Sequence, residues 1–187
     1  MCSAKSEEVA GDPKGFPPTA LDLRSPLGSN CLDKAEHDTG RELVIEHHSS
    51  LPAAFNSTVG VPRLVLLASP SCPVCLDGVR IVVASLREVS ARNVAIHVVW
   101  VAVLADDSLE ATSTAAAMFP DDLEAMHYWD GELQVSKAFH ATLGLERWKR
   151  NVVWDLYLLY GARSNWTSQP VSAENLIRPA LATSRYS

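Results

Sequence analysis

Five consecutive apolar residues, Leu64-Val65-Leu66-Leu67-Ala68, anchor the hydrophobic pattern of the chain. So short a run without polar alternation predicts a strand covered on both faces. From Leu76 the spacing becomes helical. Leu76, Val79, Val82, Val83, Leu86 and Val89 form a stripe interrupted by Arg80, Arg87 and Glu88. Val94 to Leu104, rich in β-branched residues, predicts a second buried strand. Asp106-Asp107-Ser108 is helix-starting chemistry for an alanine-rich helix that reaches Met118 and stops before Pro120. Glu124 to Trp129 reads as a short strand, Val135 to Leu143 as a helix closed by Gly144, and Val152 to Tyr160 as a third long strand.

The ends of this series are less regular. Leu43-Val44-Ile45 predicts an edge strand, and Ser50 to Phe55 a short helix ended before Gly60 and Pro62. After Tyr160, Gly161-Ala162-Arg163 reads as a turn into a partner strand around Asn165-Trp166. Ser172 then caps a final helix with Leu176, Ile177, Ala180 and Leu181 on one face, bent or ended by Pro179. Alternating strands and helices up to residue 160 imply an α/β fold of parallel strands joined by right-handed crossovers, with an antiparallel pair at the end.

Residues 1–40 contain Pro13, Pro17, Pro18 and Pro26 among Gly, Ser and charged residues, with no sustained period. They read as a flexible arm or tether, and residues 41–187 as the domain. The net charge of −6 argues against nonspecific nucleic-acid binding. No apolar run approaches the roughly 20 residues needed to span a bilayer. No Gly-rich phosphate loop is present to hold a nucleotide or flavin. Nothing in the pattern sets an oligomeric state.

The chemistry lies between the first strand and its helix, at Cys72-Pro73-Val74-Cys75. A thiol at a helix N-terminus meets free N–H groups and the positive end of the macrodipole, which favour a thiolate. The second thiol, one turn on, is close enough to close a disulfide. The pair can therefore be a redox-active dithiol, a pair of copper or zinc ligands joined by a histidine, or a permanent structural disulfide. The other cysteines, Cys2 and Cys31, lie in the arm. Met1-Cys2-Ser3-Ala4 resembles the start of a mature bacterial lipoprotein, which raises the expectation of a lipid anchor at Cys2. A cytoplasmic protein with a chance cysteine near its start is the alternative.

The element order with Cys-x-x-Cys opening the first crossover helix resembles the thioredoxin-like superfamily. It is most similar to its extracytoplasmic thiol–disulfide oxidoreductases, which carry an inserted helix and strand. Ser69-Pro70-Ser71-Cys72-Pro73-Val74-Cys75 together with Trp154-Asp155-Leu156-Tyr157-Leu158-Leu159-Tyr160 resembles a poorly characterised bacterial group of that kind. The resemblance implies a central mixed sheet flanked by helices and a location in the periplasm or otherwise outside the cytoplasm. It implies exchange of disulfides with protein or small-molecule thiols, and no cofactor beyond the cysteine pair. By the same resemblance Cys72 is an exposed attacking thiol, and Cys75 is a buried resolving thiol. Pro73 suits the first helical position, and Pro73 and Val74 tune the potential and face the partner.

Two positions depart from the family. Its buried acid before the dithiol is Leu66 here. Its cis-proline falls in Val152-Val153-Trp154-Asp155, where Trp154 is the nearest equivalent and no proline occurs. Asp155 is therefore the candidate replacement acid, and Trp154 the candidate wall of a partner groove. A strand-end carboxylate bonded locally is the plainer reading of Asp155. Trp100, Trp129, Trp148 and Trp166 read as packing residues, and Asp130 as part of a strand-terminating turn. His97 reads as a core histidine. His47 and His48 are adjacent and so point apart. His127 and His140 are isolated. Asn56-Ser57-Thr58 and Asn165-Trp166-Thr167 match glycosylation sequons.

Overall fold

The computed structural model describes residues 42–89, 93–144 and 150–177. The chain divides after Asp38, and the fold below belongs to the unit from Thr39 onward. Its strands are β1 (Ile45–His47), β2 (Arg63–Ala68), β3 (Ala95–Val101), β4 (Ala125–Asp130), β5 (Leu156–Tyr160) and β6 (Asn175–Ile177). Its helices are α1 (Leu51–Ser57), α2 (Pro73–Glu88), α3 (Leu109–Ala116) and α4 (Gln134–Thr142). Among the described residues the strands form one sheet in the order β1-β4-β3-β2-β5-β6.

The apolar run from Leu64 becomes β2, and all six of its residues are buried. It has that pattern because it is paired on both edges and covered on both faces. Parallel β3 lies on one side and antiparallel β5 on the other. Period-2 alternation sorts its side chains. Leu64, Leu66 and Ala68 face a core shared with α2 and α3. Val65 and Leu67 face a core shared with α1 and α4, through Leu51, Phe55, Val135 and Phe139. The result is a three-layer, thioredoxin-like α/β fold with a mixed sheet. Helix α3 and strand β4 form the added unit beside β3.

Local signals hold where their partners are local. Ser108 Oγ accepts from the Ala111 N–H at 3.1 Å and starts α3. Gly144 follows α4 with φ 61°, the left-handed conformation that glycine adopts freely. The edge strand forms two residues later than expected, at Ile45–His47, because its register on β4 begins at Ile45 opposite His127. Leu43 and Val44 stay exposed.

Three expectations are corrected. First, β5 runs antiparallel to β2. The chain returns to the carboxyl end of the parallel strands before entering β5, and α4 fixes it there. Ser136 Oγ donates to the Val153 carbonyl and accepts from the Val153 N–H, both at 2.7 Å. Second, Asn165-Trp166 is not a strand. Asn56 takes both main-chain groups of Trp166, each at 2.7 Å, which leaves none for a ladder. The Trp166 ring packs edge-on against Phe55 and Phe139. Third, residues 175–177 form β6 beside β5 where a helix is expected from the apolar spacing. Main-chain pairing with Leu158 and its neighbours satisfies these groups without a helical turn. Pro179, Ala180, Leu181, Trp148, Cys2 and Cys31 lie outside the described residues.

A buried polar chain supports the carboxyl end of the sheet. Asp130, fully buried, accepts from the Gln134 and Ser136 N–H groups at 2.7 and 2.9 Å and so caps α4. His48 Nδ1 lies 3.7 Å from the same carboxylate. Ser136 is the link from this cap to Val153. Ser136→Ala strips two buried main-chain groups of their partner. It is expected to lower stability by about 1–3 kcal/mol in urea unfolding.

Candidate active site

The dithiol sits where β2 stops. Ser69-Pro70-Ser71 carries the chain from Ala68 to Cys72, the N-cap residue of α2, with φ −82° and ψ 115°. Pro73 occupies the first turn, where no helical partner exists for an N–H, and is exposed. The Cys72 N–H donates to the Ser69 carbonyl at 3.4 Å, and the Cys72 carbonyl accepts from Leu76 at 3.0 Å. Both cysteines are free thiols. Cys75 is fully buried and Cys72 is 5% exposed. An exposed Cys72 sulfur was the expectation from resemblance. Instead both thiols belong to the core of the α2 face, and half-buried Val74 and Trp154 pack against the same cluster.

One carboxylate organises the approach to Cys72. Asp107 Oδ1 accepts from Ser69 Oγ at 2.8 Å, the Ser71 N–H at 3.1 Å and Ser71 Oγ at 2.6 Å. Its Oδ2 accepts from the Val103 and Leu104 N–H groups at 2.8 and 2.7 Å. This carboxylate, read from sequence only as helix-starting chemistry, joins the dithiol loop to the loop after β3.

Asp155 reaches the site from the opposite side. It immediately precedes β5 and takes a left-handed φ of 56°. Aspartate tolerates that conformation better than most residues, but it costs free energy outside glycine. No cis peptide bond occurs among the described residues, residues 152–155 included. Asp155 is buried, 7% exposed, and accepts a hydrogen bond from Tyr157 Oη at 3.4 Å. Burial raises its carboxyl pKa above the ordinary 3.8, and the Tyr157 bond partly opposes that rise. Burial also pushes the Cys75 thiol strongly upward. A hydrogen bond with the Ser69 main chain opposes the rise, while the Cys72 and Asp155 charges reinforce it. Cys75 and Asp155 therefore lie within electrostatic reach of each other.

The remaining residues sort plainly. Trp154 stands half-buried before Asp155, with the Arg150 guanidinium 5.9 Å from its ring centre. Trp100 is a core residue and donates through Nε1 to His127 at 3.2 Å. Asp130 serves the turn and cap of α4. His97 is buried beside Tyr128, and burial lowers its pKa to about 4. Among the described residues, no group of three or more His, Cys, Asp and Glu side chains is disposed to hold a metal ion. Tyr157 and Asp107 are the contributors that the sequence reading passed over. Tyr157 lies two residues after Asp155, and its hydroxyl reaches back to that carboxylate. No local signal marked Asp107, whose partners at Ser69 and Ser71 lie 38 and 36 residues away.

Two outcomes are expected. Asp107→Ala leaves five donors without their acceptor. It should cost about 1.5–3 kcal/mol and raise the rate of Cys72 alkylation, read by mass spectrometry. Asp155 gives a pH-dependent result. Its folded pKa is raised, so its contribution to stability is full below pH 3.8 and is lost as pH rises through the raised value. Asp155→Asn cannot ionise. Urea unfolding should show it gaining on the wild type between acid and neutral pH.

No family model matches the chain, and no curated protein matches it. Among solved structures it is similar to a secreted Mycobacterium tuberculosis disulfide oxidoreductase homologous to Escherichia coli DsbE. The two are 14% identical, the match covers 64% of this chain and 77% of that one, and the TM-score is 0.42.

Proposed function

We propose that the protein is a thiol–disulfide oxidoreductase acting through Cys72 and Cys75. The observation that carries this reading is a pair of free cysteines at the start of α2 with a buried carboxyl, Asp155, in electrostatic reach of the second. A structural disulfide needs no such group.

In the reductive direction the Cys72 thiolate attacks a partner disulfide, R–S–S–R. One sulfur bonds to Cys72 and the other leaves as R–S⁻. Cys75 then loses its proton to the Asp155 carboxylate and attacks the Cys72 sulfur. The Cys72–Cys75 bond forms, the bond from Cys72 to R breaks, and the second R–S⁻ departs. Two electrons pass from the cysteine pair to the partner. The oxidative direction runs the same steps in reverse. Burial makes Cys75 reluctant to ionise, so a nearby base helps its attack. Exposed Pro73 and half-buried Val74 and Trp154 form the surface offered to a partner protein or small thiol. The cysteine pair is the cofactor.

The proposed setting is the periplasm or another extracytoplasmic space, where exchangeable disulfides persist. A lipid anchor at Cys2 fits that setting. No helix among the described residues is long and apolar enough to cross a membrane.

The test is redox titration of metal-stripped protein in glutathione buffers, with alkylation read at each cysteine. A reversible two-electron transition between about −120 and −270 mV is expected, the span of catalytic dithiols. A pair that stays oxidised below about −300 mV is structural. Cys75→Ser should accumulate a mixed disulfide at Cys72, and Cys72→Ser should abolish exchange. Asp155→Asn should slow resolution about 100-fold, the lower range for loss of a positioned base. Unchanged thiol reactivity in that variant would remove Asp155 from the mechanism.

A further inference from the structure

We propose that Tyr157 is a positioning residue for the resolving step: its hydroxyl holds the Asp155 carboxylate, through a hydrogen bond, where it takes the proton of Cys75. The inference rests on the oxidoreductase reading and extends it to a residue on the neighbouring strand.

Geometry carries the argument. Asp155 and Tyr157 are two apart in sequence, and β5 starts between them. Tyr157 pairs across the sheet with Leu66, which faces the same core as the two cysteines. Its side chain, 3% exposed, belongs to the same core cluster as Cys72 and Cys75. The other buried β5 residues, Leu156, Leu158 and Tyr160, face the opposite core. Tyr157 is thus the buried side chain of this strand that meets the dithiol layer. Its hydroxyl lies 3.4 Å from Asp155 Oδ1.

The electrostatics agree. Burial raises the Tyr157 pKa, and the charges of Asp155, Cys75 and Cys72 raise it further. The phenol therefore stays protonated and donates. A donated hydrogen bond favours the ionised carboxyl and opposes the rise that burial imposes on Asp155. The titratable groups that act on the pair are Cys72 and Cys75 from α2. In the step itself the S–H proton of Cys75 passes to Asp155, and the Cys75 electron pair forms the bond to Cys72. The bond from Cys72 to the partner breaks with its electrons on the leaving thiolate. Tyr157 keeps its proton throughout.

The test loads Cys72 with thionitrobenzoate as a mixed disulfide and follows release of the coloured thiolate by Cys75 across pH. The wild type should show an acid limb set by the Asp155 carboxyl. Tyr157→Phe keeps the ring and removes the donor. Release at neutral pH should slow about tenfold, the size expected for one hydrogen bond to a charged group. Its acid limb should move to higher pH, because the carboxyl has lost a bond that favours ionisation. Alkylation of unloaded Cys72 should keep its wild-type rate, which reports an intact site. In the Asp155→Asn background, Tyr157→Phe should have no further effect. An unshifted limb with an unchanged rate overturns the inference, as does a tenfold loss that persists without Asp155. Wild-type protein that holds the label and never releases it overturns the oxidoreductase reading, and this inference falls with it.

Discussion

Strand β2 must be enclosed on every side, and the rest of the structure follows from that. Six consecutive buried residues need hydrogen-bonding partners on both edges and apolar cover on both faces. β3 and β5 supply the edges. α2 and α3 cover one face, α1 and α4 the other. Once the strand is boxed in, its exit has one route, through Ser69-Pro70-Ser71 into α2. The dithiol is placed by that exit. The antiparallel neighbour β5 begins beside the point where β2 ends, and so Asp155 and Tyr157 arrive at the cysteines from a segment 80 residues later in the chain.

Burial sets the chemical problem of the site. A thiol withdrawn from water resists ionisation, yet only the thiolate attacks. Cys75 is fully buried, and its environment pushes the pKa strongly upward. A carboxyl in the same environment is pushed upward too. The proposed transfer runs from a thiol that burial keeps protonated to a carboxyl that burial makes more basic. An exposed aspartate near its ordinary value would be a far weaker acceptor.

What the sequence disclosed was what depends on near neighbours. The Leu64 run, the helical stripe after Cys75, the Ser108 cap and the Gly144 stop all report forces acting within a turn or two. The direction of β5 was hidden because Ser136, in another helix, fixes Val153 and hence the end from which the strand enters. The strand at 175–177 was hidden because Ser172 followed by spaced apolar residues suits a helix equally well. Trp166 was misread because Asn56, 110 residues away, takes both of its main-chain groups. The site divides in the same way. Cys72, Cys75 and Pro73 carry a contiguous motif, whereas Asp107 reaches the dithiol loop from more than 30 positions away. Asp155 stood out only as a departure from a familiar pattern.

The Asp107 carboxylate has a consequence for how the site opens. Five donors from two loops converge on two oxygen atoms. Such a knot does not loosen strand by strand. Displacing the carboxylate releases both loops at once, and restoring it recaptures both. The loop that leads into Cys72 and the loop after β3 thus share one anchor, and a change at that carboxylate is felt in both.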